Sequence, residues 1–369
     1  MSALKVSVLT VGNKTINSLG LINPLVKNRH LFREIGISIY TTSDHCSGIT
    51  ESDILILDSK YFKDKWKTDH DRALADIDRL KSKKSKLCWF DTGDSTGVIQ
   101  AQVLPIVDQY LKAQSLKDRH KYRKKYYGGR IHTDYYHELE SITDSKPEYS
   151  QSVGDAGSKK IQTAWNYGLA GGYGTVGNIF GRARAHMTGK IYHPRNNRYS
   201  KLGKNKKLEL FIRMNLNYQR ETVAYQRKRV IEQLQRRANQ GTINKRQYLE
   251  EIRNSKVIVS PFGWGEINIR DFECFVSGGI LLKPSMSHLV TFPNYYLEDR
   301  TYIPINWDLL DLASKVEELI ECYSDFVEIG LEGQRMFKYF DEDVCGRKEF
   351  VKYVEALFQG RTIDGQITT

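Results

Sequence analysis

Cysteine is scarce in this 369-residue chain, and none of it is paired in sequence. Cys46, Cys88, Cys274, Cys322 and Cys345 stand singly, with no CxxC among them, which argues against a disulfide framework and against a structural zinc site. Long apolar runs are missing too. Nothing approaches the roughly 20 residues needed to span a bilayer, and Met1 to Gly12 has neither the basic start nor the cleavage pattern of a signal peptide. A cytoplasmic protein is expected. There is no internal repeat of short period. The glycine-rich GLAGGYGTVG at Gly168–Gly177 follows no clear strand and lacks the GK[ST] ending of a phosphate loop, so its plain reading is a connection. RRM, KH, zinc-finger and basic-zipper signatures are also absent.

What is present fits a folded chain: 40% apolar residues and 11% aromatic ones. The length suits two domains, each able to bury its own core. A formal charge of +12 implies an anionic partner, and nucleic acid, a membrane surface, an acidic glycan or a nucleotide diphosphate would each satisfy it. Much of the charge sits in Lys117–Arg130, Arg182–Lys207 and Arg220–Arg237; the blander reading of each cluster is a solvated face.

Short apolar runs alternate with helical spacing through the first quarter. Lys5–Val11, Ile37–Thr41, Ile54–Leu57 and Leu87–Phe90 read as strands. Leu25, Phe32 and Ile35 suggest a helix with Pro24 in its first turn, and Asp71–Lys81 a charged amphipathic one. This alternation predicts a doubly wound, mostly parallel α/β sheet. Loops at the carboxyl ends of such strands face the ligand crevice, which places Asp91-Thr92-Gly93-Asp94-Ser95-Thr96-Gly97 where chemistry occurs. Asp91 and Asp94 are candidates for a general base or for binding sugar hydroxyls; capping the next turn is the structural alternative. From about Asp108 to Lys207 the pattern weakens into tyrosine- and glycine-rich sequence suited to crevice-lining loops, with Arg130, His132 and Asp134 grouped in one short segment.

A second α/β pattern opens at Leu208. Leu208–Met214 reads as a strand, Thr222–Arg237 as a long basic helix and Asn244–Arg253 as another. Then comes VIVSPFGWGEINIRDFECFVSGGILLKP, Val257–Pro284: strand, Pro/Gly loop, helix, Gly pair, strand. Tyr302–Ile305 is a short strand, Leu309–Cys322 a helix, and Gly333–Phe358 is helical by spacing. A nucleotide diphosphate-sugar needs donors for its pyrophosphate, an acceptor for its ribose and a wall for its base. Gly263 and Gly265 permit close backbone approach, and the helix start adds N–H donors and a positive dipole. Arg270 and Lys283 can supply permanent charge, with Arg213 or Arg220 in reserve. Glu266 and Glu273, seven apart, would share a helix face, so one could hold the ribose and the other contact the sugar. Pairing of Glu273 with Arg270 at i, i+3 is the alternative.

SPFGWGEINIRDFECFVSGGILLKP, with the later TYIPINWDLLDL, resembles the donor-binding half of GT-B glycosyltransferases, particularly the exostosin-like and glycosyl transferase family 1 groups of surface-polysaccharide enzymes. The resemblance runs over Tyr248–Leu319 and is one of architecture only in the first half. It implies two Rossmann-like domains facing a cleft: residues 1–207 for the acceptor, 208–335 for the nucleotide-sugar, and 336–369 as a helix crossing back. It further implies a nucleotide-sugar as substrate with no cofactor and no obligatory metal, and a lipopolysaccharide- or capsule-type glycan or glycolipid acceptor at an anionic membrane's inner face. Many such families carry two glutamates with seven residues between them, roles that fall here on Glu266 and Glu273, with six. Asp91, Asp94 and Glu266 are thus the catalytic candidates, and Arg213, Gly263, Gly265, Arg270, Glu273 and Lys283 the donor-binding ones. The competing reading is a non-catalytic nucleic-acid or acidic-glycan binding protein, suggested by the charge and by 22 tyrosines.

Overall fold

The computed structural model describes residues 3–361 apart from 45–48, 50, 82–84, 176–195, 202–204, 235–236 and 238–242. The basic run at Arg182–Lys207 therefore lies largely outside the described residues, as does Cys46. The other four cysteines are free thiols.

The first half carries β1 (Leu4–Leu9), β2 (Ile37–Thr42), β3 (Ile54–Asp58), β4 (Lys86–Asp91), β5 (Gln109–Lys112), β6 (Gln114–Leu116) and β7 (Ile161–Thr163). Six of these form one parallel sheet in the order β2-β1-β3-β4-β5-β7. Successive residues of a strand point to opposite faces. Val6, Val8, Ile54, Ile56, Cys88 and Phe90 accordingly fill one core, while Leu9, Leu55, Leu57, Leu87 and Trp89 fill the other. Burial on both faces explains why these strands read as continuous apolar runs. The helix expected to begin near Pro24 instead begins at Ile16, capped by the Thr15 side chain, and holds Pro24 inside it; a second short helix, Arg29–Glu34, follows Asn28. Its residues 18–25 are all buried, so the apolar spacing had marked only its end.

The second half carries β8 (Leu208–Phe211), β9 (Ser255–Val259), β10 (Ile280–Pro284), β11 (Leu289–Thr291) and β12 (Ile303–Ile305). Four of them form a parallel sheet in the order β12-β10-β9-β8. The helix between β9 and β10, Ile269–Ser277, is closed at its start by a reciprocal Asn268/Asp271 capping box and at its end by Gly278, whose φ of +66° suits glycine. The chain is thus two Rossmann-like α/β units facing a cleft.

Among the elements that join the halves are a strand pair and the C-terminal helices. Strand β11 pairs antiparallel with β6, in the register Leu289↔Leu116 and Thr291↔Gln114. The C-terminal helical stretch breaks at Asp343 into Tyr323–Glu342 and Val344–Phe358. The last of these inserts Phe350, Val354 and Leu357 into the core of the first sheet, where Phe350 meets Phe32 and Trp165 edge-on. Among the described residues, no helix is long and apolar enough to cross a membrane.

Candidate active site

The carboxyl ends of both sheets meet at two loops. Gly265 lies so close to Asp94 that a Cβ built on it would fall 1.9 Å from the Asp94 carbonyl oxygen. One residue further on, the Thr96 N–H donates to Glu266 Oε2 at 3.0 Å. The Pro261–Gly265 loop and the Asp91–Gly97 loop therefore press on each other through backbone, and glycine is the residue that permits it.

A cavity of about 400 Å³ opens beside this contact, within the usual size range of ligand pockets. Ile16, Asn17 and Asp94 line it from the first half; Trp264, Gly265, Arg270, Glu273 and the start of the Ile269–Ser277 helix line it from the second. Arg227, Lys245 and Arg270 give it three cations. Burial, and then repulsion from Arg270, pushes the Arg227 guanidinium down to about 10, so it remains charged at neutral pH. Its Nε donates to the Phe262 carbonyl at 2.7 Å and its guanidinium lies 5.2 Å from the Tyr218 ring. Glu273 is held by Lys245 and by the Tyr248 hydroxyl at 2.8 Å, rather than by Arg270. Arg270 donates to the Val259 carbonyl at 3.2 Å and to the Arg213 carbonyl. Trp264, 38% exposed, stands at the rim with Arg130 4.9 Å from its ring. Helix-start N–H groups, cations and aromatic walls together suit an anion carrying a planar ring.

A second cavity of about 310 Å³ lies on the first half's side, lined by Lys60, Lys63, Trp66, Lys67, Asp91, Asp94, Ser95, Lys112 and Arg130 among others. Asp94 lines both cavities. Its Oδ1 accepts from Asn17 Nδ2 at 2.7 Å and its carbonyl from Gln114 at 2.6 Å, while Oδ2 makes no hydrogen bond to a described residue. Asp91 differs: Oδ1 accepts from the Gly93 N–H, and Oδ2 from both the Tyr110 hydroxyl and the buried Lys112, each at 2.8 Å. Its charge is matched and both oxygens are engaged.

Behind the loop contact, Glu266 is fully buried with Oε1 3.8 Å from His132 Nδ1 and 3.9 Å from His288 Nε2. Burial raises the Glu266 carboxyl, but the two imidazoles more than offset this and hold it well below its ordinary value. Burial pushes the His132 imidazole down. His132 Nε2 donates to the Gly263 carbonyl at 3.2 Å, and its ring stabilises the Glu266 carboxylate when Nδ1, which faces it, is protonated as well. The cluster lines neither cavity.

Of the residues singled out in the sequence, Asp94, Gly265, Arg270 and Glu273 come together around the inter-half cavity, and Asp91 lies next door. Gly263 packs behind the loop against Arg227. Arg213 is held bidentately by Glu251, at 2.5 and 3.0 Å. Lys283 is buried 3.1 Å from Asp271, which also accepts from Ser260, Tyr296 and the Asn268 N–H. Neither Arg213 nor Lys283 lines either of these two cavities. Asn17, Arg227, Lys245 and Tyr248 escaped the sequence reading. Arg227 had a visible signal, since it lies within the basic Arg220–Arg237 run; Asn17 had none, because a lone Asn at a helix start reads as a cap.

No protein-family model matches the chain, and no curated protein matches it in sequence. Among solved structures, HepE of Anabaena in complex with UDP-glucose aligns at 9% identity and a TM-score of 0.44, over 95% of this chain and 99% of that one. A glycosyltransferase from Rickettsia africae aligns at 10% identity and 0.44, over 96% and 99%. The N-terminal domain of trehalose-6-phosphate phosphatase from Candida albicans aligns at 9% identity and 0.45, over 98% of each chain. These values mark a loose likeness of chain path; any chemistry has to come from this chain's own residues.

Proposed function

We propose that the chain is a glycosyltransferase of the GT-B type. It takes a nucleotide-sugar in the cavity between its halves and transfers the sugar to a saccharide acceptor in the lysine-lined cavity. The observation that carries the reading is that one carboxylate, Asp94, lines both cavities and keeps an oxygen free of hydrogen bonds to described residues. A base at that point lies between an acceptor hydroxyl on one side and an anomeric carbon on the other. The acceptor hydroxyl gives its proton to Asp94 as its oxygen bonds to the anomeric carbon. The bond from that carbon to the diphosphate breaks, and the departing charge is met by Arg227, Lys245, Arg270 and the N–H groups at the start of the Ile269–Ser277 helix. Attack from the side opposite the diphosphate inverts the anomeric centre. Glu273 receives the ribose hydroxyls, and Trp264, Tyr218 and Tyr248 wall the base.

In this reading side chains carry the leaving-group charge, so activity persists in chelator. The +12 charge supports a cell-surface glycan acceptor presented at an anionic membrane, and co-sedimentation with anionic vesicles checks that placement. The donor assignment is tested by a thermal-shift panel of nucleoside diphosphates and nucleotide-sugars. A ligand present at about 100 times its Kd adds roughly 2.7 kcal/mol of stability. At least one nucleotide should raise Tm in the wild type and fail to do so in Arg270→Ala; no shift with any nucleotide sinks the proposal.

A further inference from the structure

The smaller cavity has a chemistry of its own. Lys60, Lys63 and Lys67 are three and four residues apart along the helical run 59–68, a spacing that aligns them on one face, and all three line the cavity. None of them forms an ion pair with a described residue, whereas Lys65, on another face of the same run, pairs with Asp76 at 2.6 Å. Arg130 adds a fourth cation, and the fifth, Lys112, is already matched by Asp91. Of the two carboxylates in the lining, Asp94 forms no ion pair with a described residue. Ser95, only 4% exposed, also lines the cavity, and its Oγ has no hydrogen-bond partner among the described residues. Half-buried Trp66 supplies an apolar surface, steadied by His70 at 4.2 Å and Trp89 at 6.0 Å.

We infer that the acceptor is an acidic saccharide, one bearing a carboxylate, phosphate or sulfate group, held by Lys60, Lys63 and Lys67. The inference rests on the glycosyltransferase reading of the same site. Unmatched cations grouped in a cavity repel one another, and an anion relieves that repulsion. Trp66 offers a platform for a sugar ring, and the orphaned Ser95 hydroxyl a hydrogen bond to one of its hydroxyls. About 310 Å³ accommodates one or two rings rather than a nucleic-acid duplex. Opposite signs within the cavity also set the register: the acidic group goes to the lysines and is repelled by Asp94, which leaves a neutral hydroxyl at the base.

The test is calorimetric titration of the full chain with four probes: a glucuronate-containing disaccharide, the neutral parent disaccharide, and that parent carrying a phosphate monoester or a sulfate. A nucleoside diphosphate is titrated in parallel. At least one acidic probe should bind about tenfold or more tighter than the neutral parent, and which one does so identifies the anion. The advantage should shrink at about 0.5 M salt and vanish in Lys63→Glu/Lys67→Glu, whose changed side chains are exposed, while the nucleotide binds as before. Retained nucleotide binding without an acidic preference, or a preference that survives the double variant, overturns this inference alone. Absence of nucleotide binding to the wild type overturns the transferase reading and the acceptor role with it.

Discussion

Replacing Gly265 by alanine adds a single methyl group at the place where the two halves touch. That methyl would lie 1.9 Å from the Asp94 carbonyl oxygen, 2.5 Å from its carbonyl carbon and 2.9 Å from its Cβ. The backbone at Gly265 is not in the left-handed region, so alanine carries no conformational penalty there and the whole effect is steric. The obstacle is backbone and cannot rotate aside. Reaching an ordinary contact of 3.4 Å requires the loops to part by about 1.5 Å. Overpacking of this kind costs typically 1–3 kcal/mol. The functional cost is larger, because a misplacement of about 1 Å at a reacting centre can lose on the order of 100-fold in rate. Urea unfolding reads the first effect, and nucleoside diphosphate release from a nucleotide-sugar reads the second. A Gly265→Ala protein within about 0.5 kcal/mol of wild type and fully active would refute the steric argument.

Two further outcomes follow from the buried charges. Lys283→Met should lower unfolding free energy by about 3–5 kcal/mol, because it leaves Asp271 buried without its cation; a change under about 1 kcal/mol in urea unfolding would contradict this. His132 gives a pH dependence of fixed sign. Its folded value lies below the ordinary 6.5, so as pH falls through 6.5 the unfolded chain takes up a proton that the buried site resists, and stability falls. The depressed Glu266 carboxyl works at lower pH, since its contribution is lost only as pH falls through its own folded value. Between about pH 7.5 and 5.5, wild-type Tm should therefore drop more steeply than that of His132→Gln, and equal slopes would remove the argument.

Much of the fold was legible because its strands are buried on both faces. Strands β1, β3 and β4, and β9 and β10 in the second half, announce themselves as apolar runs ending at Gly- or Asp-rich loops, while the edge strand β2 shows through its alternating Ile37 and Ile39 and leaves Tyr40 exposed. Strands β5 and β7 did not, and the reason is physical. Their sequences, QYLK and IQT, put Gln109 and Lys112 inside the protein, where Lys112 is neutralised by Asp91 and Gln109 donates to the Leu357 carbonyl. A buried polar residue whose partner is distant in sequence looks like a loop residue until the partner is seen. The same blindness applied at the site. Arg270 and Glu273 were readable from the loop-helix pattern, but the partners of Glu273, Lys245 and Tyr248, lie on a helix some 25 residues earlier. Lys283 erred the other way, since a lysine at a strand end looks available for phosphate until Asp271 is found beside it.

The central claim is that Asp94 stands between a donor and an acceptor, and Asp94→Asn tests it most directly. Asparagine keeps the size of the side chain and its contact with Asn17 but cannot take the acceptor's proton. Nucleoside diphosphate release is measured with a nucleotide-sugar and the acidic saccharides, alongside calorimetric binding of the nucleotide. Release should fall by roughly 100- to 10,000-fold while nucleotide affinity stays within about threefold of wild type. Release at the wild-type rate, with the nucleotide still bound, would contradict the account.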